Sequence, residues 1–219
     1  MAARLQGPRG RFIALEGGEG TGKSTQTRLL ADALTARGIE VETTREPGGT
    51  PGAEAIRDLL LAPPGEGWAV EAEALLFAAA RADHVARLIR PSLDAGRWVV
   101  CDRFVDSSRA YQGGAGRLGD EAIRALHAFG SAGLRPDLTV LLDVGEAQVV
   151  RRLAARDGEA SDAIGGRGED YHRAVAATFR SLADADPEGF AVVAGEGEPQ
   201  DVHERVIAAL EPFLAQESR

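Results

Sequence analysis

Several residue types are scarce in this chain, and each scarcity excludes a class of protein. The sequence of 219 residues has one cysteine, Cys101, so it forms no internal disulfide and suits a reducing compartment. No apolar run approaches the ~20 residues that span a membrane, and the N-terminus has arginines but no signal-type apolar stretch. We therefore expect a cytoplasmic protein without a membrane segment.

Positive charge is scarce as well. The chain has 25 lysine and arginine residues against 34 aspartate and glutamate residues, a formal net charge of −9 at pH 7, which argues against a nucleic-acid partner. Lys23 is the single lysine, and the other 24 cationic residues are arginine. A compact ammonium on a flexible stem enters a tight loop where a planar guanidinium does not. Position 23 is therefore predicted to require a lysine and not merely a charge.

Glycine is plentiful around that lysine. Residues 17–24 read G-G-E-G-T-G-K-S, after an apolar strand-like run at 12–15 and before a helical pattern at 23–36. Strand, glycine-rich turn and helix form the context of a phosphate-binding P-loop, whose N–H groups converge on phosphate oxygens. In that motif Lys23 reaches the β- and γ-phosphates of a nucleotide, and the Ser24 hydroxyl ligates Mg²⁺. The motif, its context and the single lysine favour this interpretation over an ordinary glycine-rich turn.

Strand-like runs alternate with helical patterns along the rest of the chain. Further strands are predicted at 39–41, 98–101, 138–144 and 190–193. Further helices are predicted at 53–61, 70–95, 119–130, 146–156, 169–184 and 200–215. This alternation predicts an α/β fold with a parallel sheet covered by helices on both faces.

The domain plan follows from the same patterns. We expect a flexible N-terminal extension over residues 1–10 and a single domain over 11–219. A polar glycine-rich stretch at 157–168 joins two helical patterns and is longer than most connections, so it is either a lid or a variable surface loop. As a lid, it would extend over about residues 151–168.

Ligands of open α/β sheets bind beyond the carboxyl ends of the strands. Arg45 follows the second strand-like run, Asp102 and Arg103 follow the third, and the fourth ends at Asp143 in the manner of a Walker-B strand. A guanidinium fork matches a phosphate, so two arginines at neighbouring strand ends predict a second phosphate site beside that of the nucleotide. Surface arginines paired with acidic residues would explain one of them, but explain both less well.

Six segments then make the family recognisable. In order they read L-E-G-G-E-G-T-G-K-S-T-Q, T-R-E-P-G-G-T, L-L-F-A-A-A-R, C-D-R-F, S-S-R-A-Y-Q-G and R-P-D-L-T-V-L-L-D-V. Together they closely resemble bacterial thymidylate kinases, from about residue 11 to the C-terminus, densely to residue 145 and more loosely after it. The resemblance implies a P-loop kinase fold, a three-layer sandwich around a five-stranded parallel sheet with a lid. It further implies Mg²⁺-dependent phosphoryl transfer from ATP to dTMP and a homodimer.

The resemblance implies roles for individual residues. The ATP site comprises Gly17, Gly18, Glu19, Gly20, Thr21, Gly22, Lys23, Ser24 and Thr25. The dTMP site comprises Glu19, Arg45, Phe77, Arg81, Arg103, Ser108, Tyr111 and Gln112. The Mg²⁺ ligands are Ser24 and Asp102.

Within the implied dTMP site each residue has its own task. Phe77 stacks on thymine, and Arg81, four residues further along a helix, donates to thymine O4. Ser108 and Gln112 contact the base edge. Tyr111 lies beside the deoxyribose and Glu19 contacts its 3′-hydroxyl. Arg45 and Arg103 hold the phosphate.

The catalytic set is implied less completely. Lys23, Asp102 and Arg103 match the family, but the P-loop arginine of some relatives is replaced here by Gly20. Many bacterial lids contain D-R-[IF]-E, whereas residues 162–165 read D-A-I-G. Our hypothesis is that Arg156 or Arg167, which flank the glycine-rich segment, supplies the missing lid charge.

Two other functions deserve comparison. A kinase of another nucleoside monophosphate or of a deoxynucleoside would use the same fold, and in the second case Glu19 would have to activate a hydroxyl. A nucleotide-dependent switch or regulatory ATPase belongs to a different class. A guanine switch would show N-K-x-D, whereas Lys23 follows Gly22, and an ATPase would not need the second anion site.

Overall fold

The structure, a computed structural model, describes residues 9–154 and 166–217. Its strands are β1 (Phe12–Glu16), β2 (Val41–Arg45), β3 (Trp98–Asp102), β4 (Leu138–Asp143) and β5 (Phe190–Ala194). Its helices are α1 (Lys23–Thr35), α2 (Pro51–Leu61), α3 (Val70–His84), α4 (Arg90–Asp94), α5 (Val105–Ser108), α6 (Asp120–Ser131), α7 (Glu146–Ala154), α8 (Glu169–Ala185) and α9 (Pro199–Glu217). A π-helical turn, Val85–Ile89, joins α3 to α4, and a second π-helical segment, Arg109–Ala115, continues α5.

The five strands form one parallel sheet in the order β2-β3-β1-β4-β5. The strand that leads into the glycine-rich loop, β1, is central and entirely buried, which explains why its sequence F-I-A-L-E is a continuous apolar run closed by one acid. The edge strand β2 is partly exposed and carries polar residues on its outer positions. The predicted five-stranded parallel sheet is confirmed.

Helices cover both faces because successive β1 side chains point in opposite directions. Ile13 and Leu15 pack with Leu30 of α1 and Val206 of α9 on one face. Phe12 and Ala14 pack on the other face with the helical run from α3 to α4 and with α6. The three-layer α/β arrangement therefore follows from the alternation of the central strand.

Two elements differ from the sequence-based prediction. Strand β2 lies at Val41–Arg45, later than the predicted 39–41, because pairing with β3 extends it through polar residues. The helical stretch at residues 105–115 was not among the helices predicted from the sequence. Glycine disfavours helices, but a Cβ at Gly114 would lie 2.2 Å from Thr178 Oγ1 of α8. Close helix packing therefore requires the glycine that concealed the helix.

The last residue of the predicted N-terminal extension packs closely against the rest of the chain. Gly10, assigned above to the extension, is buried, and its N–H donates to Leu93 O at 2.9 Å. A Cβ there would lie 1.9 Å from Arg97 O, so Gly10 packs as part of the domain. Within the described residues, none of the helices has the length and apolarity needed to cross a membrane.

Candidate active site

The glycine-rich loop wraps around the ammonium group of Lys23. Gly17, Gly20 and Gly22 have φ of 143°, 69° and 95°, values that a residue with a Cβ rarely adopts. Lys23 begins α1, and its Nζ donates to Gly18 O at 2.6 Å. The sequence places glycine at the turns that bring loop N–H groups and one ammonium to the same point, as a polyphosphate site requires.

Lys23 is buried at the mouth of a cleft. Burial, together with the nearby Arg103 guanidinium, lowers the pKa of Lys23 to about 8. A buried cation of this kind is stabilised by an anion placed beside it. The loop therefore favours binding of a negatively charged group.

Ser24 and Asp102 meet across the loop and the end of β3. The Ser24 hydroxyl donates to Asp102 Oδ2 at 2.6 Å. A hydroxyl and a carboxylate are the hard oxygen donors that Mg²⁺ accepts, and Mg²⁺ is commonly held by one or two protein oxygens together with phosphates. No cluster of three or more histidine, cysteine or acidic side chains suited to a metal occurs in the described ranges.

Arg103 connects this loop to the middle of the cleft. It has a φ of 69°, a left-handed conformation that is unusual for a residue other than glycine. Its Nη1 donates to Gly17 O at 3.0 Å, and its Nη2 pairs with Glu19 Oε1 at 2.5 Å. Tyr111 donates to the same Glu19 oxygen at 3.2 Å, and the Arg103 cation chiefly lowers the pKa of Glu19 to about 2. Glu19 is thus held ionised at the junction of the loop and the cleft.

Arg81 forms the fixed end of the cleft. It is 3% exposed, and its Nε donates to Glu46 Oε2 at 2.7 Å. Its Nη2 donates to Ser108 Oγ at 3.0 Å and to Phe104 O at 3.3 Å. His84 Nδ1 lies 3.1 Å from the other Glu46 oxygen. The guanidinium is therefore held in one orientation by groups from several elements.

Arg45 is held more loosely. Its side chain is 52% exposed, and its Nη2 pairs with Glu54 Oε2 at 3.0 Å. The other Glu54 oxygen accepts from the N–H of Gly49 at 2.9 Å. Arg45 lines the exposed rim of the cleft, and Arg81 lines its buried end.

One cleft brings together all eight residues predicted to bind dTMP. The same cleft is also lined by part of the predicted ATP and metal site, namely Gly20, Gly22, Lys23, Ser24 and Asp102. Gly17, Gly18 and Thr21 face a second groove, toward the end of β4 and helices α7 and α8. The glycine-rich loop is thus shared by two adjoining spaces.

Comparison with known proteins agrees with this geometry. A family model described as thymidylate kinase matches residues 15–206. The chain belongs to the thymidylate kinase family. It is 58% identical to a thymidylate kinase of Rhizorhabdus wittichii over 94% of this chain and 99% of that one. It is 47% identical to one of Rhodopseudomonas palustris over 96% and 93% of the two chains.

A solved structure supports the same assignment. A crystal structure of thymidylate kinase from Ehrlichia chaffeensis superposes with a TM-score of 0.75 at 32% identity, covering 93% of this chain and all of that one. The predicted P-loop kinase fold and thymidylate kinase family are thereby confirmed. So is the predicted enzyme class, a phosphotransferase acting on dTMP.

The two arginines predicted to supply lid charge differ in what the structure describes. Arg156 lies outside the described residues. Arg167 pairs with Glu73 of α3, and its Nη1 donates to Tyr171 Oη at 2.5 Å, so it faces the acceptor side and not Lys23. Arg152 of α7 instead approaches the P-loop, with Nη1 3.2 Å from Thr21 O.

Several acidic partners of the site were missed by sequence analysis. Glu16, at the end of β1, is buried and accepts from the N–H groups of Phe104 and Ser107 at 2.8 and 2.9 Å. Burial and the nearby Asp106 raise the pKa of Glu16 to about 7. Sequence analysis also missed two further acids, Glu46 and Glu73, and one cation that lines the cleft, Arg57. A usable signal existed for Glu73, because the four-residue spacing from Phe77 to Arg81 extends back to it.

Proposed function

We propose that this thymidylate kinase transfers the γ-phosphoryl group of ATP to dTMP, with Mg²⁺, giving dTDP and ADP through the residues of this cleft. The observation that carries the proposal is the continuity of one cleft from the P-loop lysine to Phe77 and the buried Arg81. A donor phosphate beside Lys23 and an acceptor base beside Arg81 would then share one space. Arg45 and Arg103 stand between these ends, where the acceptor phosphate must lie.

The buried end suits thymine. Arg81 offers N–H donors, and thymine O4 is an acceptor, whereas cytosine would present an amino donor at that position. A polar mismatch in a buried site discriminates strongly, while the 5-methyl group that separates thymine from uracil is worth only ~1–3 kcal/mol. The proposed enzyme should therefore reject dCMP more strongly than dUMP.

The reaction does not need a strong general base. The attacking group is a phosphate oxygen of dTMP, which is already ionised near neutral pH. Catalysis then consists of holding the two phosphates in line and neutralising negative charge on the transferred group. Lys23 and Arg103 supply fixed positive charge, and the more exposed Arg45 supplies an accessible one. Ser24 and Asp102 would hold Mg²⁺, which when bound neutralises charge on the donor phosphates.

Glu19 and Tyr111 are proposed to position the sugar. Glu19 is ionised and already accepts from Tyr111, so a 3′-hydroxyl donor nearby would find a strong acceptor. Tyr111 is 4% exposed and packs against α8, which leaves little freedom beside the deoxyribose. A 2′-hydroxyl would compete for that space.

We also propose that Arg156 or Arg167 supplies the positive charge of the lid. Arg167→Ala and Arg156→Ala are to be compared separately for kcat. Loss of turnover in one variant identifies the residue that contributes positive charge. Near-native turnover in both contradicts the hypothesis. Closure of such a segment would also keep water from the donor phosphate.

We further propose a cytoplasmic homodimer with no nucleic-acid or membrane partner. Helices α3 and α6 pack against each other, and each exposes a large apolar side chain, Leu75 at 56% and Phe129 at 95%. Scattered apolar residues are ordinary on a surface, so the dimer needs a direct test. Sedimentation of the native chain and of Phe129→Ser separates a dimer through this surface from a monomer.

The deciding experiment is an ADP-release assay with Mg-ATP and a panel of acceptors: dTMP, dUMP, dCMP, dGMP, AMP and thymidine. The proposal expects rapid turnover with dTMP, weaker turnover with dUMP and little with the others. Activity with another acceptor alone would keep the phosphotransferase but contradict the thymine pocket. ATP hydrolysis indifferent to every acceptor would favour a switch or regulatory ATPase instead.

A further inference from the structure

The side-chain amide of Gln112 lies at the buried end of the cleft, and its orientation is set from behind. Gln112 is 2% exposed and lines the cleft beside Arg81 and Ser108. Its Nε2 donates to Glu73 Oε1 at 2.8 Å, and both side chains are buried. In the part of the chain that the structure describes, this is the hydrogen bond that the amide makes.

The chemistry of the partner determines which end of the amide faces the cleft. An ionised carboxylate only accepts hydrogen bonds, so the NH₂ group of Gln112 must point toward Glu73. The carbonyl oxygen Oε1 is then left on the cleft side. A neutral partner such as an amide or hydroxyl would permit either orientation.

Glu73 is itself held in place. Its second oxygen, Oε2, accepts from Arg167 Nη2, so each carboxylate oxygen has a donor. Arg167 also bonds Tyr171 Oη, and Tyr171 donates to the backbone oxygen of Tyr111 at 2.9 Å. Because both oxygens of Glu73 accept hydrogen bonds, rotation of the carboxylate away from Gln112 would break these bonds.

We propose that Glu73 is a positioning residue for base selection, which presents the Gln112 carbonyl oxygen to the N3 position of the acceptor base. The inference rests on the proposed function and on Gln112 facing the base edge. Thymine and uracil carry N3–H, a donor that matches this oxygen. Cytosine carries a lone pair at N3, which the oxygen repels. Selection would thus occur twice, at O4 through Arg81 and at N3 through Gln112.

The test compares dTMP with 5-methyl-dCMP, which differs from dTMP at N3 and position 4 and keeps the methyl group. In Glu73→Gln the neighbour can donate or accept, so the Gln112 amide is free to turn. The ratio of kcat/KM for dTMP over 5-methyl-dCMP is expected to fall about tenfold, the worth of one hydrogen bond. Glu71→Gln removes the same charge from an exposed site on the same helical turn and should leave the ratio unchanged.

A second variant separates positioning from general structural support. In a Gln112→Leu background, Glu73→Gln should cause no further fall in the ratio, because its effect passes through Gln112. A fall that persists there, or an unchanged ratio in Glu73→Gln alone, would overturn the inference. If Glu73→Gln does not fold, Glu73→Asp withdraws the oxygen from Gln112 and should lower the ratio likewise; an unchanged ratio again overturns the inference. Absence of wild-type activity on dTMP would instead contradict the proposed function.

Discussion

The two ends of the proposed acceptor cleft, one assigned to the base and one to the phosphate, hold their arginines in different ways. At the base end, Arg81 is buried and bonded to Glu46, to Ser108 and to a backbone carbonyl. At the phosphate end, Arg45 is half exposed and has one carboxylate partner in Glu54. The same residue type therefore serves as a fixed donor in one place and as an accessible charge in the other.

Under the proposed function, the difference follows from what each end must recognise. A base presents donors and acceptors at fixed positions, so a reader with a single orientation discriminates best. A phosphate being phosphorylated changes its charge and position, and an exposed arginine with a long side chain can follow it. Burial costs a cation its hydration, which explains why Arg81 is surrounded by acceptors while Arg45 needs few.

The largest expected effect is at Arg103, which belongs to neither extreme. Arg103→Ala removes the guanidinium between the acceptor phosphate and the P-loop while leaving a Cβ on the same backbone. We expect kcat to fall about 10³-fold, as for other charges that stabilise a transferred phosphoryl group. Steady-state kinetics with saturating dTMP measure it. Arg37→Ala, at an exposed site after α1, is the control and should match the native enzyme.

A slightly smaller effect is expected at the base end. Arg81→Lys retains the charge but cannot reach Glu46, Ser108 and the base together, since an ammonium lacks the planar fork. We expect kcat/KM for dTMP to fall about 10²-fold. Arg81→Leu additionally leaves Glu46 without its main partner and should destabilise the fold by about 3–5 kcal/mol in urea unfolding. Native kinetics in Arg81→Lys would show that charge alone suffices at this end.

The P-loop lysine gives a pH-dependent effect of intermediate size. Burial lowers the pKa of Lys23 in the free enzyme to about 8 from its usual value of 10.5. The neutral amine therefore predominates above that pH and cannot offset phosphate charge. We expect kcat/KM for ATP to fall as pH rises through about 8, by roughly tenfold per pH unit, because this quantity reports the free enzyme.

The profile of kcat should decline at higher pH than that of kcat/KM, because bound phosphates favour the charged ammonium. Enzyme returned from alkaline buffer to neutral pH before assay controls for denaturation. Coincident declines of both parameters would contradict the assignment of the titration to Lys23.

The smallest effect is expected at the exposed arginine. Arg45→Ala removes one solvent-screened charge, so KM for dTMP should rise about fivefold with little change in kcat. The rise should shrink as salt is added, whereas the Arg81→Lys defect should be independent of salt. Equal salt dependence for the two variants would remove the distinction between the ends of the cleft.

Much of the fold was predictable because its signals are local. The buried run F-I-A-L-E of β1 and the alternation of strand and helix identify a parallel sheet without knowledge of tertiary contacts. The helical stretch at 105–115 was not predictable in this way. Its Gly114 is required by the close approach of α8, whose Thr178 lies more than sixty positions away in sequence. Local propensity cannot register such a contact.

The same distinction between local and long-range signals decides which residues of the candidate site were predictable. Residues proposed to contact phosphate or base were identified from motifs and the resemblance, and all eight proposed dTMP residues line one cleft. The residues that hold them were not found. Glu46 reaches Arg81 across 35 positions, and Glu73 reaches Gln112 across 39. Acidic residues are common in this chain, so residue type does not mark the few that folding buries, and only the helical spacing of Glu73 from Phe77 gave a signal.

That Lys23 is the single lysine also determines how a lysine-specific protease cleaves the chain. A protease that cleaves only after lysine has a single bond to cut in this chain, between Lys23 and Ser24 in the first turn of α1. Lys23 is buried at the start of this helix, so cleavage requires local opening of the chain there. The product is two fragments, and their rate of appearance counts openings of this one loop. A nucleotide that binds the closed loop will slow that rate, so fragmentation measures ligand occupancy without any catalytic turnover.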